Sequence, residues 1–469
     1  MSNAIPYYFR SLDWDKLIAD YPPPPNYNGT VGAMSDEQIH DLQNERFLAR
    51  VEEAWKLPFY TRRWSAVGLE PGDIQSLEDI EKIPTFNSDD LKSAIESAPP
   101  FGDHHPYRRE DFGDVPIKIQ TSGGTTGMPR VTLFDALAWE VQGIQTARGL
   151  YAQGARPGDV IQIPFTTSLA NAGWSAYNAV FNWLGCVPVT TGSGKVTPSE
   201  RQLEFAKAWG TNGWYCYGDY LGRLTQVAEQ MGFDLHQLPT KYLFTFLGPD
   251  SDGALRRGLE EAWGAPVYDN YGSHEVGLVA WECQHKKNKH INEDTAFIEV
   301  CDAQGRRLAD GETGSVVVTS LHRSVPPFIR YDHRDMMALY PREKCECGVC
   351  SRKLSSLFGR MDDMVKLRGT NIYPLSCQGA IKKDPRTTGE FLCVVSHVGE
   401  GVARQDEMVI RVERKSTTVN KQALRDDLTA TLTAELGARI QVEIVESDEL
   451  DEYTKSGEKP KRLLDLRKR

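Results

Sequence analysis

Apolar residues recur along this chain at two different periods, and the change between them divides it into regions. From Ser35 to Arg63, residues Ile39, Leu42, Phe47, Leu48, Val51 and Trp55 fall at helical spacing, which predicts helix with one buried face. Residues 1 to about 115 read as mainly helical, broken by the proline run Pro22 to Pro25. From about 117 to 300, short apolar runs alternate with helical patterns. Val160 to Pro164 precedes a helix near Ala172 to Trp183, Val187 to Thr190 follows it, and Tyr242 to Leu247 precedes a helix ending near Trp263. Alternation of this kind predicts parallel strands covered by helices. Phe297 to Thr319 instead predicts an antiparallel pair of strands around a turn at Asp310-Gly311. From Val365 onward the pattern starts afresh, with strands at Phe391 to Val395, Met408 to Val412 and Ile440 to Ile444 and a helix near Lys421 to Leu436. The expected fold is therefore α/β and α+β multidomain. A large N-terminal domain of residues 1–361 has helix-covered mixed and parallel sheet with antiparallel sheet added late, and a small α+β domain of residues 362–469 follows. No internal repeat is present.

Length and charge narrow the function. A chain of 469 residues exceeds what one hydrophobic core usually serves, in keeping with two or more domains. A net charge of −11 argues against a protein that wraps nucleic acid, and no apolar run reaches membrane-spanning length. The N-terminal residues lack a basic segment followed by an apolar signal core, so a cytoplasmic location is expected. Nine cysteines, an odd number in a long chain, suit reduced thiols better than a disulfide framework.

Four stretches carry chemistry. Thr121 to Arg130, TSGGTTGMPR, has three glycines and four hydroxyl residues in ten positions between Ile117/Ile119 and Val131/Leu133. Such a loop can wrap a polyphosphate through close backbone N–H groups, or be an ordinary hairpin turn. It is not a Walker loop, because Met128 follows Gly127; Gly192-Ser193-Gly194-Lys195 fails the same test, with Val196 after the lysine. In Val267 to Gly277, an apolar strand ends in Tyr271-Gly272 with Glu275 close behind. Tyr271 offers a face for a base and Glu275 an oxygen for magnesium, unless the first is core and the second solvated. Asp335 closes a polar run and can accept hydrogen bonds from two ribose hydroxyls. Gly359 to Lys366, with Arg360, Asp362 and Asp363, looks like a polar joint, and Lys455, Lys459 and Lys461 lie near the chain's end on a glycine-containing loop or a solvated basic tail.

In this order the stretches resemble the adenylate-forming superfamily of acyl-CoA synthetases, peptide-synthetase adenylation domains and luciferases, most closely its phenylacetate–CoA ligase branch. The likeness runs from about Ile117 onward. It implies that Ser122, Gly123, Gly124, Thr125, Thr126 and Gly127 form the phosphate loop, with Gly123 where a second serine and Met128 where a lysine is common. It implies Tyr271 and Gly272 as the adenine-stacking pair, Glu275 as the magnesium ligand, Asp335 as the ribose ligand with Arg360 nearby, Asp362 as the hinge of a mobile C-terminal domain and Lys459 as the catalytic lysine. Lys461 is the fallback for that lysine. His274 stands where a threonine or serine hydroxyl normally meets the α-phosphate, and either its imidazole substitutes there or it reshapes the acyl pocket. The family builds that pocket from segments matching Trp174, Tyr177 and Tyr215, and aromatic walls suit an aromatic acid, although a helical aromatic stripe is more commonly core.

Cysteines and histidines in WECQHKKNKHINED and KCECGVC are zinc-ligand types at short spacing. The branch's matching positions point to Cys283, His290, Cys345 and Cys347 as a structural zinc site, with Cys350 spare. The implied cofactors are ATP, Mg2+, coenzyme A as co-substrate and structural Zn2+. The implied partners are a small carboxylic acid, ATP and CoA, with no nucleic acid, no membrane and a homodimer left open. The leading expectation is an ATP-dependent, AMP-forming ligase that converts an aromatic acid to its CoA thioester. The alternatives are an amide-forming adenylating ligase and a non-catalytic nucleotide-binding protein stabilised by zinc.

Overall fold

The computed structural model describes residues 6–113, 115–122, 130–250, 253–361, 365–367, 370–398, 405–436, 440–454 and 460–468. They form two compact units. The first holds Met1–Leu247, Leu259–His333 and Met337–Ser355, and the second holds Gly248–Gly258, Arg334–Met336 and Ser356–Arg469.

In the first unit the N-terminal region is helical, as its periodicity requires. Ser35 caps the Asp36–Ala54 helix through a reciprocal box with Gln38, which satisfies two orphan backbone donors. The Ser35 to Arg63 run is two helices, because the second starts afresh with Pro58 in its first turn; a proline there lacks only an N–H that has no intrahelical acceptor anyway. Beyond them a hairpin joins β1 (Lys118–Ser122) and β2 (Arg130–Phe134). The large sheet begins with β3 (Val160–Gln162), β4 (Val187–Val189), β5 (Gly213–Tyr217), β6 (Tyr242–Phe246) and β7 (Val267–Ser273), all parallel in the order β4-β3-β5-β6-β7. It continues through β8 (Gly277–Trp281), β9 (Lys289–Ile291), β10 (Ala296–Cys301), β11 (Thr313–Ser320), β12 (Tyr331–Lys344) and β13 (Cys350–Leu354) in the order β7-β8-β9-β13-β12-β11-β10. The pairs β7–β8, β8–β9, β9–β13, β13–β12 and β11–β10 run antiparallel. Parallel strands need crossovers, here the helices, whereas antiparallel ones need only turns.

Two expected elements come out differently. Asp310-Gly311 does not close the β10–β11 pair. The chain instead turns at Asp302, whose carboxylate accepts from the N–H groups of Gln304 and Arg306, and at Gly305 in the left-handed region; Gly311 donates to Leu339 O at 2.9 Å. The helix that starts at Ala172 is α-helical only to Asn178 and becomes π-helix over Ala179–Trp183.

The second unit contains β14 (Gly359–Arg360), which pairs with Asp335 and Met336 of β12. It also holds the hairpin of β15 (Val365–Leu367) and β16 (Thr370–Ile372), and a sheet of β17 (Thr387–Val398), β18 (Gln405–Arg414), β19 (Gln441–Val445) and β20 (Leu463–Asp465) in the order β19-β18-β17-β20. The Lys421–Leu436 helix buries Leu424, Leu428 and Leu432 in the same core as Phe391, Ile410 and Val412. The predicted strands and helix of this region are all present. No helix among the described residues is long and apolar enough to cross a membrane.

Candidate functional site

The β7–β8 hairpin is shaped by two glycines. A Cβ at Gly272 would lie 2.3 Å from Gly277 O and 2.9 Å from Leu278 Cα, and the register shifts between Tyr271 and Gly272. Gly277 sits at φ +78°, and a Cβ there would meet Gln145 Oε1 at 2.3 Å. Only glycine permits so tight a hairpin. It carries Tyr271, His274 and Glu275 on one short connection.

Glu275 is buried, and Arg130 Nη1 lies 3.0 Å from its Oε1. The same guanidinium donates to Tyr331 Oη at 3.0 Å, and Arg323 donates to the Glu275 backbone carbonyl at 2.6 Å. Burial works against the charged carboxylate. The fields of Arg130, His274 and His333 outweigh it and hold the acid down at about 2, so Glu275 is an anion at neutral pH. A buried carboxylate of this kind is the type of oxygen donor a magnesium ion takes. His274 turns its ring edge-on to Phe134 at 5.7 Å. Burial lowers it to about 4, with Glu275 opposing and Arg323, Arg130 and Lys118 reinforcing. It is a neutral imidazole, and its Nε2 is buried without a partner among the described residues. Tyr271 is 6% exposed, and its hydroxyl is 2.9 Å from His333 Nδ1.

The other expected nucleotide residues are distributed as follows. Ser122 ends β1 and only its backbone is described; Gly123, Gly124, Thr125, Thr126 and Gly127 lie outside the described residues, as do Asp362 and Lys459. Lys461 is exposed, its N–H donating to Tyr453 O at 2.9 Å. In the second unit Asp335 and Arg360 are paired across β12 and β14, and Arg360 Nη1 lies 3.0 Å from Asp335 Oδ1.

The candidate acyl-pocket residues sit in two groups. Trp174 is half-buried and donates Nε1–H to Ser168 O at 2.8 Å, while Tyr177 stacks on exposed Phe181 at 5.6 Å. Tyr215 is buried in β5, stacked on Phe244 at 4.5 Å and edge-on to Phe165 at 5.5 Å. Of the cations nearby in sequence, Arg148 is closed on Asp294 by two bonds of 2.8 Å, and Lys195 is exposed.

The metal-ligand types converge. Ligand atoms of Cys283, His290, Cys345 and Cys347 all lie within 4.8 Å of one another. Cys283 Sγ is 3.8 Å from Cys345 Sγ, and Cys347 Sγ is 3.5 Å from His290 Nε2. The register Lys353↔His290 between β13 and β9 brings the two sequence halves side by side. His290 Nδ1 lies 2.8 Å from Ser351 Oγ, which orients Nε2 toward the sulfurs as a supporting shell does for a metal-bound imidazole. The Cys347 hydrogen bond and the neighbouring His290 favour the Cys283 thiolate. Three thiols and one imidazole fit tetrahedral zinc. Cys350 is not in the cluster, and all nine cysteines are free thiols.

Sequence inspection missed Arg130 as the partner of Glu275, Arg323 as the clamp on its backbone, and Lys118. The last residue of the glycine loop being an arginine at a strand start was the only local signal, and it pointed to Arg130 alone.

Comparison with known proteins adds four findings. Residues 369–467 match the model for the AMP-binding enzyme C-terminal domain. The chain is 29% identical over 459 residues to a phenylacetate-coenzyme A ligase of Aromatoleum evansii, covering 95% of this chain and 98% of the relative. A phenylacetate-coenzyme A ligase of Thermus thermophilus is 26% identical over 467 residues, covering 94% and 100%. Among solved structures, 2-hydroxyisobutyryl-CoA ligase in the postadenylation state, in complex with R3-HIB-AMP, superposes with a TM-score of 0.82 at 25% identity over 96% of this chain and 94% of that one.

Proposed function

We infer from the chain's membership of the adenylate-forming superfamily, on its phenylacetate–CoA ligase side, that it is an AMP-forming acid–thiol ligase. It joins an aromatic carboxylic acid to coenzyme A in two steps. A carboxylate oxygen attacks the α-phosphorus of ATP, the bond to the bridging oxygen breaks, and pyrophosphate leaves. The CoA thiol then adds to the acyl carbon, loses its proton, and AMP departs. Both steps build charge at atoms that protein groups must meet with pre-oriented dipoles and charges.

The observation that carries this reading is Glu275, a carboxylate kept ionised in a buried hairpin by Arg130. We assign Glu275 as the magnesium ligand; the ion, when bound, neutralises phosphate charge. His274, a neutral imidazole with an unpaired nitrogen, is assigned to hydrogen-bond at the α-phosphate in place of a hydroxyl. Tyr271 and Gly272 are assigned to the adenine, Asp335 and Arg360 to the ribose side, the Ser122–Gly127 loop to the phosphates and Lys459 to the first step. Cys283, His290, Cys345 and Cys347 are assigned to a structural zinc that ties β9 to the β12–β13 connection. We place it in the cytoplasm, where ATP, CoA and reduced thiols are available together.

The test is acid-dependent exchange of labelled pyrophosphate into ATP, followed by AMP release with CoA present. Exchange that requires an aromatic acid and disappears in Glu275→Gln is expected. ADP and phosphate as products would refute adenylation, and an acyl-adenylate consumed by amines but not by CoA would refute the thiol acceptor.

A further inference from the structure

Three elements of the first unit bury polar atoms that find no partner among the described residues. On β1, Lys118 and Gln120 are two residues apart and so share a face. On the Ala136–Ala152 helix Trp139 and Gln142 are three residues apart, and Asn171, the cap of the Ala172–Asn178 helix, stands three before Trp174. Lys118 Nζ lies 3.5 Å from the Trp139 ring centre and 5.1 Å from that of Trp174. Asn171 Nδ2 donates to Gln142 Oε1 at 2.7 Å. The bond from Thr121 N–H to Leu169 O, 2.8 Å, holds β1 beside this segment. Among the described residues, Lys118 Nζ, Gln120 Oε1, Gln142 Nε2 and Asn171 Oδ1 are buried with no hydrogen-bond partner.

Buried polar groups in a folded chain are almost always paired. Lys118 Nζ, Gln142 Nε2 and Asn171 Oδ1, on three neighbouring elements, therefore hold hydrogen-bonding capacity that no described residue uses. Lys118 sets the charge there. Arg148 is neutralised by Asp294 and Arg130 by Glu275, whereas among the described residues Lys118 Nζ meets indole faces and no anion. Those faces favour a cation weakly and leave its need for an anion unmet. Burial accordingly lowers Lys118 to about 7, a shift that a bound anion would reverse. A carboxylate suits the pair of donors, one oxygen for the ammonium and one for Gln142 Nε2. Its position is informative too, since β1 leads from Lys118 to Ser122 and into the segment assigned to the phosphates.

We propose that Lys118 is a specificity residue of the acyl site, recognising a second carboxylate on the aromatic acid at the end remote from the carboxylate that is adenylated, with Gln142 completing the contact. The proposal rests on the adenylation reading and deepens it to a substrate class, aromatic diacids.

The experiment compares phenylacetate, 4-hydroxyphenylacetate and 4-carboxyphenylacetate by AMP release with CoA, in the wild type, Lys118→Met and Lys118→Arg. The wild type is expected to prefer the diacid in kcat/KM. Lys118→Met should cut the diacid-to-phenylacetate ratio at least about tenfold, chiefly through KM, and Lys118→Arg should keep most of it. A ratio unmoved by Lys118→Met overturns the proposal, and so does a wild type that uses the hydroxy acid as well as the diacid. If no acid releases AMP, the adenylation reading fails by itself, and Lys118 is judged by diacid binding without ATP through tryptophan fluorescence. Binding weakened about tenfold in Lys118→Met then supports the diacid socket, and no binding to the wild type overturns it.

Discussion

Arg130 and Glu275 form a buried ion pair whose two halves are unequal in what they leave behind. Removing the guanidinium strands a carboxylate in a dry site, which costs about 3–5 kcal/mol. Arg130→Gln should therefore lower stability by about that amount in denaturant titrations, and Arg130→Gln/Glu275→Gln should recover part of the loss, because no charge is then stranded. Lys118 predicts the opposite sign. Its folded-state value is pushed down from 10.5 to about 7, so between those values the unfolded chain binds more protons than the folded one. The penalty is complete below about pH 7 and fades as pH rises toward 10.5. Lys118→Met should melt higher than the wild type at pH 6, by roughly 2 °C, and the gap should close by about pH 10. Scanning calorimetry across that range checks it.

The β7–β8 hairpin and the zinc-type cluster act as whole elements. Gly272→Ala would drive a methyl into the backbone of Gly277 and Leu278, neither of which can rotate away as a side chain can. A loss of about 2–3 kcal/mol in stability is expected, with pyrophosphate exchange lost alongside, because Tyr271 and Glu275 share that hairpin. The cysteine cluster ties β9 to the turn between β12 and β13. One zinc per chain is expected by elemental analysis, and removing it with a chelator, or by Cys345→Ser, should lower the melting temperature while leaving the ATP dependence of any remaining activity in place. A chain purified without zinc and equally stable would reduce the cluster to four neighbouring ligand types.

At the scale of the whole molecule, the chain divides into two units, and the family resemblance implies Asp362, which lies outside the described residues, as the joint of a mobile C-terminal domain. If one small domain serves both steps by turning about that joint, stiffening it must separate them. Asp362→Pro is expected to keep acid-dependent pyrophosphate exchange and to slow thioester formation by at least about tenfold; equal loss of both would refute a hinge. The strands and helix from Phe391 to Ile444 were legible beforehand, since Phe391, Leu424 and Ile444 fall at strand and helix periods that local sterics enforce; that Gly248–Gly258 and Arg334–Met336 join the same unit was not. That Tyr271, Gly272 and Glu275 stand close together was legible too, since they lie on one short stretch whose order survives in any fold. The turn at Gly305 was not, because two Asp/Gly-bearing candidates, Asp302 to Gly305 and Asp310-Gly311, compete and only the β10–β11 register chooses between them. The pairing of Arg130 with Glu275, the closure of Arg148 on Asp294 and the isolation of Lys118 between two indoles were invisible in the sequence. What the chain determined by itself was period, turn chemistry and residue type, which depend on neighbours a few positions away. What only the tertiary structure decided was which charges meet and which stay alone, because a buried charge's state depends on groups brought near it from distant parts of the chain.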